Sequence, residues 1–212
     1  MQGPQLVKAG IKIVPTRKEH VWELERLQEI VFPNLCDSQR IKAGQYLNQI
    51  KNFPEGQFVA VKEKDETIVG MTTTLRVDES KALISHSFEE IFKDGNLDNH
   101  DPNGEWLYGL DLGTHPDYRG LGIGRALYNA RKNAVEKLNL KGQVTVGMLN
   151  GYQKAQAYES VDEYYLDLKN GKIKDPTVSM QQKIGFKIKE IVKDYLDDPT
   201  CGNAGVLLML EK

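Results

Sequence analysis

Three glycines at every second position between residues 120 and 124 constrain the fold of this chain more than any other feature. They lie in the stretch HPDYRGLGIGRAL, residues 115–127. An apolar, strand-like run precedes the stretch. From its end onward, apolar residues recur at helical spacing: Ile123, Leu127, Ala130, Ala134 and Leu138. Glycine costs roughly 1 kcal/mol relative to alanine inside a helix. A loop so rich in glycine at a helix start predicts backbone amides that converge on an anion.

The spacing of the glycines separates this loop from two common nucleotide-binding patterns. A P-loop ends in Gly-Lys-Ser/Thr, whereas Gly124 is followed by Arg125 and Ala126. A dinucleotide fingerprint is G-x-G-x-x-G, whereas this loop is G-x-G-x-G and lacks an acidic ribose partner about 20 residues further on. The loop still predicts a diphosphate site. The alternative, that the glycines only permit close packing of a helix on a strand, stays open.

Length, charge and cysteine usage exclude several classes of protein. The 212 residues suffice for one sizeable domain, and the formal net charge of −2 gives no general attraction to nucleic acid. The apolar runs are too short to cross a bilayer, and the N-terminus lacks the layout of a secretory signal. Two unpaired cysteines and four scattered histidines predict no metal site. We therefore expect a single cytoplasmic domain over residues 1–212, with neither nucleic acid nor membrane as a partner.

The order of apolar runs predicts an α+β fold built on a mixed sheet. Seven strands are predicted, at GIKIV, GQFVAVKEK, TIVGMTTTLRV, EWLYGLDLGT, QVTVGML, KIKEIVKDYL and GVLLMLEK. The strand, glycine loop, helix and strand over residues 105–149 form a βαβ unit, which predicts one parallel pair. Helices are predicted to begin at three capping boxes: Thr16 with Glu19, Ser87 with Glu90, and Ser160 with Glu163. The last of these lies in a helical insertion at about residues 150–174.

The string LDLGTHPDYRGLGIGRAL resembles the coenzyme-A-binding motif of the GNAT family of N-acetyltransferases. That motif is R/Q-x-x-G-x-G/A after a strand, and residues 119–124 fit it, with Pro116 three positions before Arg119. The order of elements also fits the family over residues 11–211. The resemblance implies a GNAT fold, with a central mixed sheet of about seven strands and helices on both faces. It also implies that acetyl-CoA is the cosubstrate and that an amine attacks its acetyl group directly.

The same resemblance implies which residues bind CoA. Backbone groups of Leu112, Gly113 and Thr114 would hold the pantetheine arm and polarise the thioester. The loop would contact the diphosphate through Arg119, Gly120, Leu121, Gly122, Ile123, Gly124 and Arg125. The basic residues further along the helix, Arg131, Lys132 and Lys137, are expected on a solvated face.

Two residues are candidates for catalysis. Asp111 interrupts an apolar strand, where an unpaired carboxylate is costly, so we predict that it is the base. A structural aspartate, satisfied by backbone N–H groups or an arginine, is the alternative. Many GNAT members carry a tyrosine on the last helix that acts as the general acid, but Gln181 occupies that position here. Tyr152, just after QVTVGML, is the candidate acid in its place, with a packing role as the alternative.

A narrower resemblance rests on NFPEGQFVAV, EWLYGLDLGTHPDYRGLGIG and DPTVSMQQKIGF. These segments are similar to the acetyltransferase module of GNAT proteins fused to a carbon–nitrogen hydrolase of the nitrilase type. A separate hydrolase as a partner of this chain is therefore a hypothesis.

The sequence leaves the acceptor and the assembly open. The acceptor is expected to be a small-molecule or peptide amine, because the mixed charges of residues 150–174 select no particular substrate. The last apolar run, GVLLML, is either a core strand or the seam of a homodimer. Because Gln181 departs from the family pattern, a non-catalytic CoA-binding regulatory or scaffolding module is the alternative to an enzyme.

Overall fold

The computed structural model describes residues 5–7, 10–155 and 157–212. Its strands are β1 (Gln5–Val7), β2 (Ile11–Pro15), β3 (Phe58–Lys62), β4 (Ile68–Val77), β5 (Trp106–Thr114), β6 (Gly142–Met148), β7 (Lys187–Val192) and β8 (Gly205–Glu211). They form one sheet in the order β1-β2-β3-β4-β5-β6-β8-β7. Only β5 and β6 pair in parallel; every other neighbouring pair among the described strands is antiparallel. The predicted mixed sheet is confirmed, and β1 adds an eighth strand.

Helices cover both faces of this sheet, as predicted. They are α1 (Val21–Val31), α2 (Ala43–Asn52), α3 (Glu79–Ala82), α4 (Phe88–Phe92), α5 (Ile123–Lys137), α6 (Val161–Lys169) and α7 (Val178–Ile184). Helix α5 packs on one face of the sheet, where it buries Ile123, Leu127 and Ala130. Helices α1 and α2 pack on the other face of the sheet. Within the described ranges, every helix is too short or too polar to cross a lipid bilayer.

Two of the three predicted helix starts are confirmed. The Ser87 hydroxyl accepts the N–H of Glu90 at the start of α4, and Ser160 accepts the N–H of Glu163 at the start of α6. The prediction at Thr16 is wrong. Its amide donates to the carbonyl of Gln57 (2.9 Å), so this residue prolongs the pairing of β2 with β3 instead of capping a helix. A 3₁₀ turn then leads into α1.

The apolar run GVLLML is an interior strand of the sheet. It forms β8, which is hydrogen-bonded to β6 on one side and to β7 on the other. Val206, Leu207 and Leu208 are fully buried there. The run is therefore part of the core, and a homodimer stays a prediction that this strand does not support.

The predicted helical insertion contains one 3₁₀ turn and α6. Tyr164, Tyr165 and Leu168 of α6 are buried, so this helix packs on the domain by one face. A buried link between the insertion and the rest of the fold is Asp175, which is 1% exposed and accepts hydrogen bonds from the Gly151 amide (2.8 Å) and the Tyr164 hydroxyl (3.1 Å). The insertion is thus fixed to the end of β6.

Candidate functional site

The parallel strands β5 and β6 pair only over their first halves. Their register runs from Trp106 with Gly142 to Gly109 with Thr145. Beyond that point β5 stays paired with β4, and β6 stays paired with β8. The two strands therefore part and leave an opening between residues 110–114 and 146–148, called the wedge below. The backbone groups that face this opening have no strand partner, so an extended ligand with amide groups can bind between them.

A β-bulge marks the point where the wedge opens. On β4, Thr73 is paired with Asp111 and the next residue, Thr74, is paired with Gly109. Leu110 is therefore the extra residue in β5. Bulges bend a strand and redirect its side chains, and they are common beside active sites. The bulge coincides with Gly109, the last residue of β5 that pairs with β6.

The glycine loop follows β5, and two of its glycines are required by backbone conformation. Gly120 and Gly122 have φ values of +80° and +89°, in the left-handed region that disfavours other residues. A Cβ at either position would meet nothing within 4 Å, so packing does not explain these glycines. At Gly124, neither the backbone conformation nor the packing requires a glycine. A Cβ there would make ordinary contacts with Leu112 (3.8 Å) and Met180 (3.9 Å).

The loop presents a run of free backbone donors. Within the described residues, none of the six consecutive amides from residue 120 to 125 has a protein acceptor, and the first backbone bond of α5 joins the Ala126 amide to the Gly122 carbonyl (3.0 Å). The positive end of the 15-residue helix α5 lies at the same place. Arg119 and Arg125 flank these amides and are exposed. The loop is therefore suited to a diphosphate.

The predicted CoA-binding residues lie in one continuous region. Leu112, Gly113 and Thr114 form the β5 side of the wedge, and the loop begins five residues later at Arg119. The Nε of Arg119 donates to the Thr114 carbonyl (3.3 Å), which joins the loop to the strand end. The structure thus brings the predicted strand and loop residues together, although their contacts with CoA stay a prediction.

Asp111 lies on the face of β5 that α1 and α2 cover, and it is partly exposed. Its Oδ1 accepts the Thr73 N–H (2.6 Å), and its Oδ2 accepts the Nε2 of Gln28 (2.7 Å). Burial raises the pKa of Asp111, although the Arg131 charge and the two donors oppose this rise. These hydrogen bonds agree with the alternative, in which Asp111 is a structural aspartate. The raised pKa and the remaining lone pairs are compatible with a base.

Asp111→Asn separates the two roles. If Asp111 is the base, kcat should fall about 100-fold, since general bases contribute about 10²–10⁴-fold, and the acidic limb of the kcat–pH profile should disappear. Steady-state kinetics over a range of pH would measure both. An unchanged rate constant at every pH, together with lower stability in urea, would assign a structural role instead.

Gln181 is buried in α7, with 2% of its surface exposed. Its Nε2 donates to the hydroxyl of Tyr128 on α5 (2.8 Å). Its Oε1 has no hydrogen-bond partner among the described residues and lies against the backbone of Gly147, where a Cβ would come within 2.3 Å. The glutamine at the family's tyrosine position therefore holds a tyrosine of the neighbouring helix.

The expectation of a solvated basic face is wrong for Arg131, which is 2% exposed. Its Nε donates to the Thr72 hydroxyl (2.7 Å), and its Nη2 donates to the Asp111 carbonyl beside the bulge. Glycine at position 109 makes room for it, because a Cβ there would lie 2.1 Å from its Nη1. Lys132 and Lys137 of the same helix are exposed, as expected. Two buried side-chain donors, from Arg131 and Thr72, thus satisfy the Asp111 carbonyl beside the bulge.

Tyr152 begins a 3₁₀ turn at the end of β6. Its ring packs edge-on against Tyr164, with centroids 5.6 Å apart, and Gly202 of the β7–β8 connection lies against it. Its hydroxyl makes no hydrogen bond within the described residues. These contacts fit the packing alternative, and its role as the acid stays a prediction.

The sequence model of the Acetyltransferase (GNAT) family matches residues 19–158, which include the wedge and the glycine loop. The chain belongs to the GNAT family. Membership confirms the predicted family, the predicted fold and, at the level of acyl transfer, the predicted class of enzyme.

Two curated relatives of this GNAT chain come from Bacillus subtilis (strain 168). One, an uncharacterized N-acetyltransferase called YkwB, is 30% identical over 190 residues, which cover 88% of this chain and 83% of the relative. The other, a probable hydrolase called YhcX, is 33% identical over 183 residues. That match covers 86% of this chain but only 35% of YhcX, so the GNAT chain corresponds to about a third of that protein.

A solved structure with the same fold is the GphF GNAT-like decarboxylase in complex with isobutyryl-CoA. The TM-score is 0.77, and the match covers 94% of this chain and 98% of GphF. At 23% sequence identity, this similarity establishes the fold alone.

Proposed function

We propose that this GNAT chain transfers an acetyl group from acetyl-CoA to an amine. The proposal depends on one observation: six amides at the start of α5, without an acceptor in the part of the chain that the structure describes, lie beside an opening between two strands that have parted. Diphosphate oxygens accept hydrogen bonds from such amides, and the amides of pantetheine can pair with the strand edges. The isobutyryl-CoA bound to GphF supports a CoA thioester as the ligand class of this fold.

Different residues would bind the diphosphate, polarise the thioester carbonyl and take the proton from the amine. Arg119 and Arg125 would add charge-assisted contacts to the diphosphate. Backbone N–H groups at residues 112–114 would polarise the thioester carbonyl as charge develops on its oxygen. An alkylamine has a pKa near 10.4, so supplying its free base at neutral pH costs up to about 4–5 kcal/mol. Asp111, directly or through water, would take the proton from the amine.

A two-stage experiment tests the proposal. Saturating CoA at about 100 times its dissociation constant should stabilise the protein by about 2.7 kcal/mol, and ATP should not. Acetyl-CoA with a panel of small and peptide amines should then release free thiol, detected by a thiol reagent. Stabilisation by ATP but not by CoA would contradict the assignment of the loop.

A non-catalytic CoA-binding module is the second candidate, and the replacement of the family's tyrosine by Gln181 favours it. This candidate predicts the same stabilisation by CoA and no thiol release with any amine. The thiol assay therefore separates the two.

The cellular setting of the chain is also a proposal. We propose a cytoplasmic protein whose acceptor is a small-molecule or peptide amine. A separate carbon–nitrogen hydrolase stays a hypothesis for a partner, which the similarity to about a third of the probable hydrolase YhcX supports. Affinity purification from the native host that recovers no amidase-like protein would remove that support.

A further inference from the structure

Tyr128 and Gln181 form a buried pair that the reaction described above does not use. Gln181 lies against Gly147, and Gly147 is two residues beyond Thr145, the last residue of β6 that pairs with β5. The pair therefore lies against the β6 side of the wedge. Tyr128 itself is only 3% exposed.

Tyr128 and Gly124, the last glycine of the loop, lie on the same face of α5. Gly124 and Tyr128 are four residues apart, so they lie one turn apart on the same helix face. A Cβ at Gly124 would contact Leu112 of β5 and Met180 of α7, so this face is directed at the wedge between them. A ligand that binds the loop amides and enters the wedge would therefore lie next to the helix face that carries Tyr128.

The hydrogen bonds of the pair leave one proton unused. The Tyr128 hydroxyl accepts the Nε2–H of Gln181, and a hydroxyl that accepts can still donate its own hydrogen. Within the described residues, that hydrogen has no acceptor, and the Gln181 Oε1 has no donor. Buried polar groups are normally paired, so the unpaired Gln181 Oε1 and the unused Tyr128 hydrogen, next to the wedge, are candidates to bind a ligand.

We propose that Tyr128, in place of the candidate Tyr152, is the proton donor to the CoA sulfur and that Gln181 positions its hydroxyl. As the amine nitrogen bonds to the acetyl carbon, the C–S bond breaks and its electron pair stays on sulfur. The Tyr128 O–H proton moves to the sulfur and gives the CoA thiol. The amine nitrogen loses a proton to Asp111 or water, and the tyrosinate regains one from solvent. The catalytic step rests on the proposed function, whereas the contact between hydroxyl and sulfur does not.

Tyr128→Phe removes the hydroxyl and keeps the ring, which packs on Phe186 (centroids 5.3 Å apart). A donor hydroxyl stabilises the thiolate, so the variant should raise the pKa of the bound CoA thiol by about one unit. Titration of the thiolate ultraviolet absorbance in the CoA complex measures this shift. With acetyl-CoA and an amine, kcat should fall about 100-fold. Tyr165→Phe, which removes a buried hydroxyl from α6, is the matched control and should change neither quantity.

The outcomes separate this inference from the proposed function. An unchanged thiol pKa in Tyr128→Phe overturns the inference, even if the wild-type protein transfers acetyl groups. A raised thiol pKa in a protein that transfers no acetyl group supports the contact and overturns the proposed function. If Tyr128→Phe does not fold, Gln181→Leu decides: loss of its N–H frees the hydroxyl to rotate, and the thiol pKa should rise by about half a unit. No rise in that variant also overturns the inference.

Discussion

Gly124→Glu is expected to weaken CoA binding strongly and leave the protein at least as stable as the wild type. Gly124 lies in the first turn of α5 without a positive φ, and a Cβ there would make only van der Waals contacts. Removing a glycine and placing an acid in the first turn of α5 should together stabilise folding by about 1 kcal/mol. The same carboxylate would repel a diphosphate at the loop amides. We expect the CoA dissociation constant to rise about 1000-fold, or about 4 kcal/mol, in calorimetric titrations.

Asn133→Glu is the matched control for this prediction. Asn133 is exposed on the same helix, so the variant makes the same change in charge away from the loop. Its CoA affinity should stay within about a factor of two, because exposed charges farther away than a Debye length are screened. If Gly124→Glu bound CoA as tightly as Asn133→Glu, the diphosphate would have to lie elsewhere.

Asp175→Ala is expected to lower the free energy of unfolding by about 4 kcal/mol, because several buried donors lose their acceptor together. Its Oδ1 accepts the N–H groups of Thr177 (2.8 Å) and Val178 (3.0 Å) at the start of α7. Its Oδ2 accepts Gly151 and Tyr164, which fix the insertion to β6. Urea unfolding monitored by circular dichroism measures the change.

Asp162→Ala provides the comparison for that loss of stability. Asp162 lies in the same insertion but forms an exposed ion pair with Lys193 (2.8 Å). Exposed pairs contribute about 0–1 kcal/mol, so this variant should unfold almost as the wild type does. If the two variants lost equal stability, Asp175 would not be the anchor of the insertion.

The sequence predicted the strands and the glycine loop at the start of α5 because their signals are local. Alternating or continuous apolar runs identified seven strands, and the glycine spacing located the start of α5. The bulge at Leu110 was not predictable, because it depends on the register of β5 against β4. The capping prediction at Thr16 failed for a similar reason: a pairing with Gln57, distant in sequence, competes with the local cap.

The buried polar residues of α5 show where local reasoning ends. Arg131 and Tyr128 lie at spacings of seven and four residues from Gly124, on the stripe that faces the wedge. That spacing was the one signal that could have identified them. An arginine in a helix is nonetheless ordinarily solvated, and only the space above Gly109 allows this one to be buried. Such compensation between distant positions is not visible in a single sequence.

A titration of ¹⁵N-labelled protein with CoA tests most directly whether the backbone amides of residues 120–125 bind the diphosphate of CoA. CoA should shift the amide resonances of these residues and of 112–114 in the wedge, with one shared saturation curve. Gly124→Glu should strongly reduce these shifts. Saturable shifts confined to other parts of the chain, with the loop amides unchanged, would contradict the account.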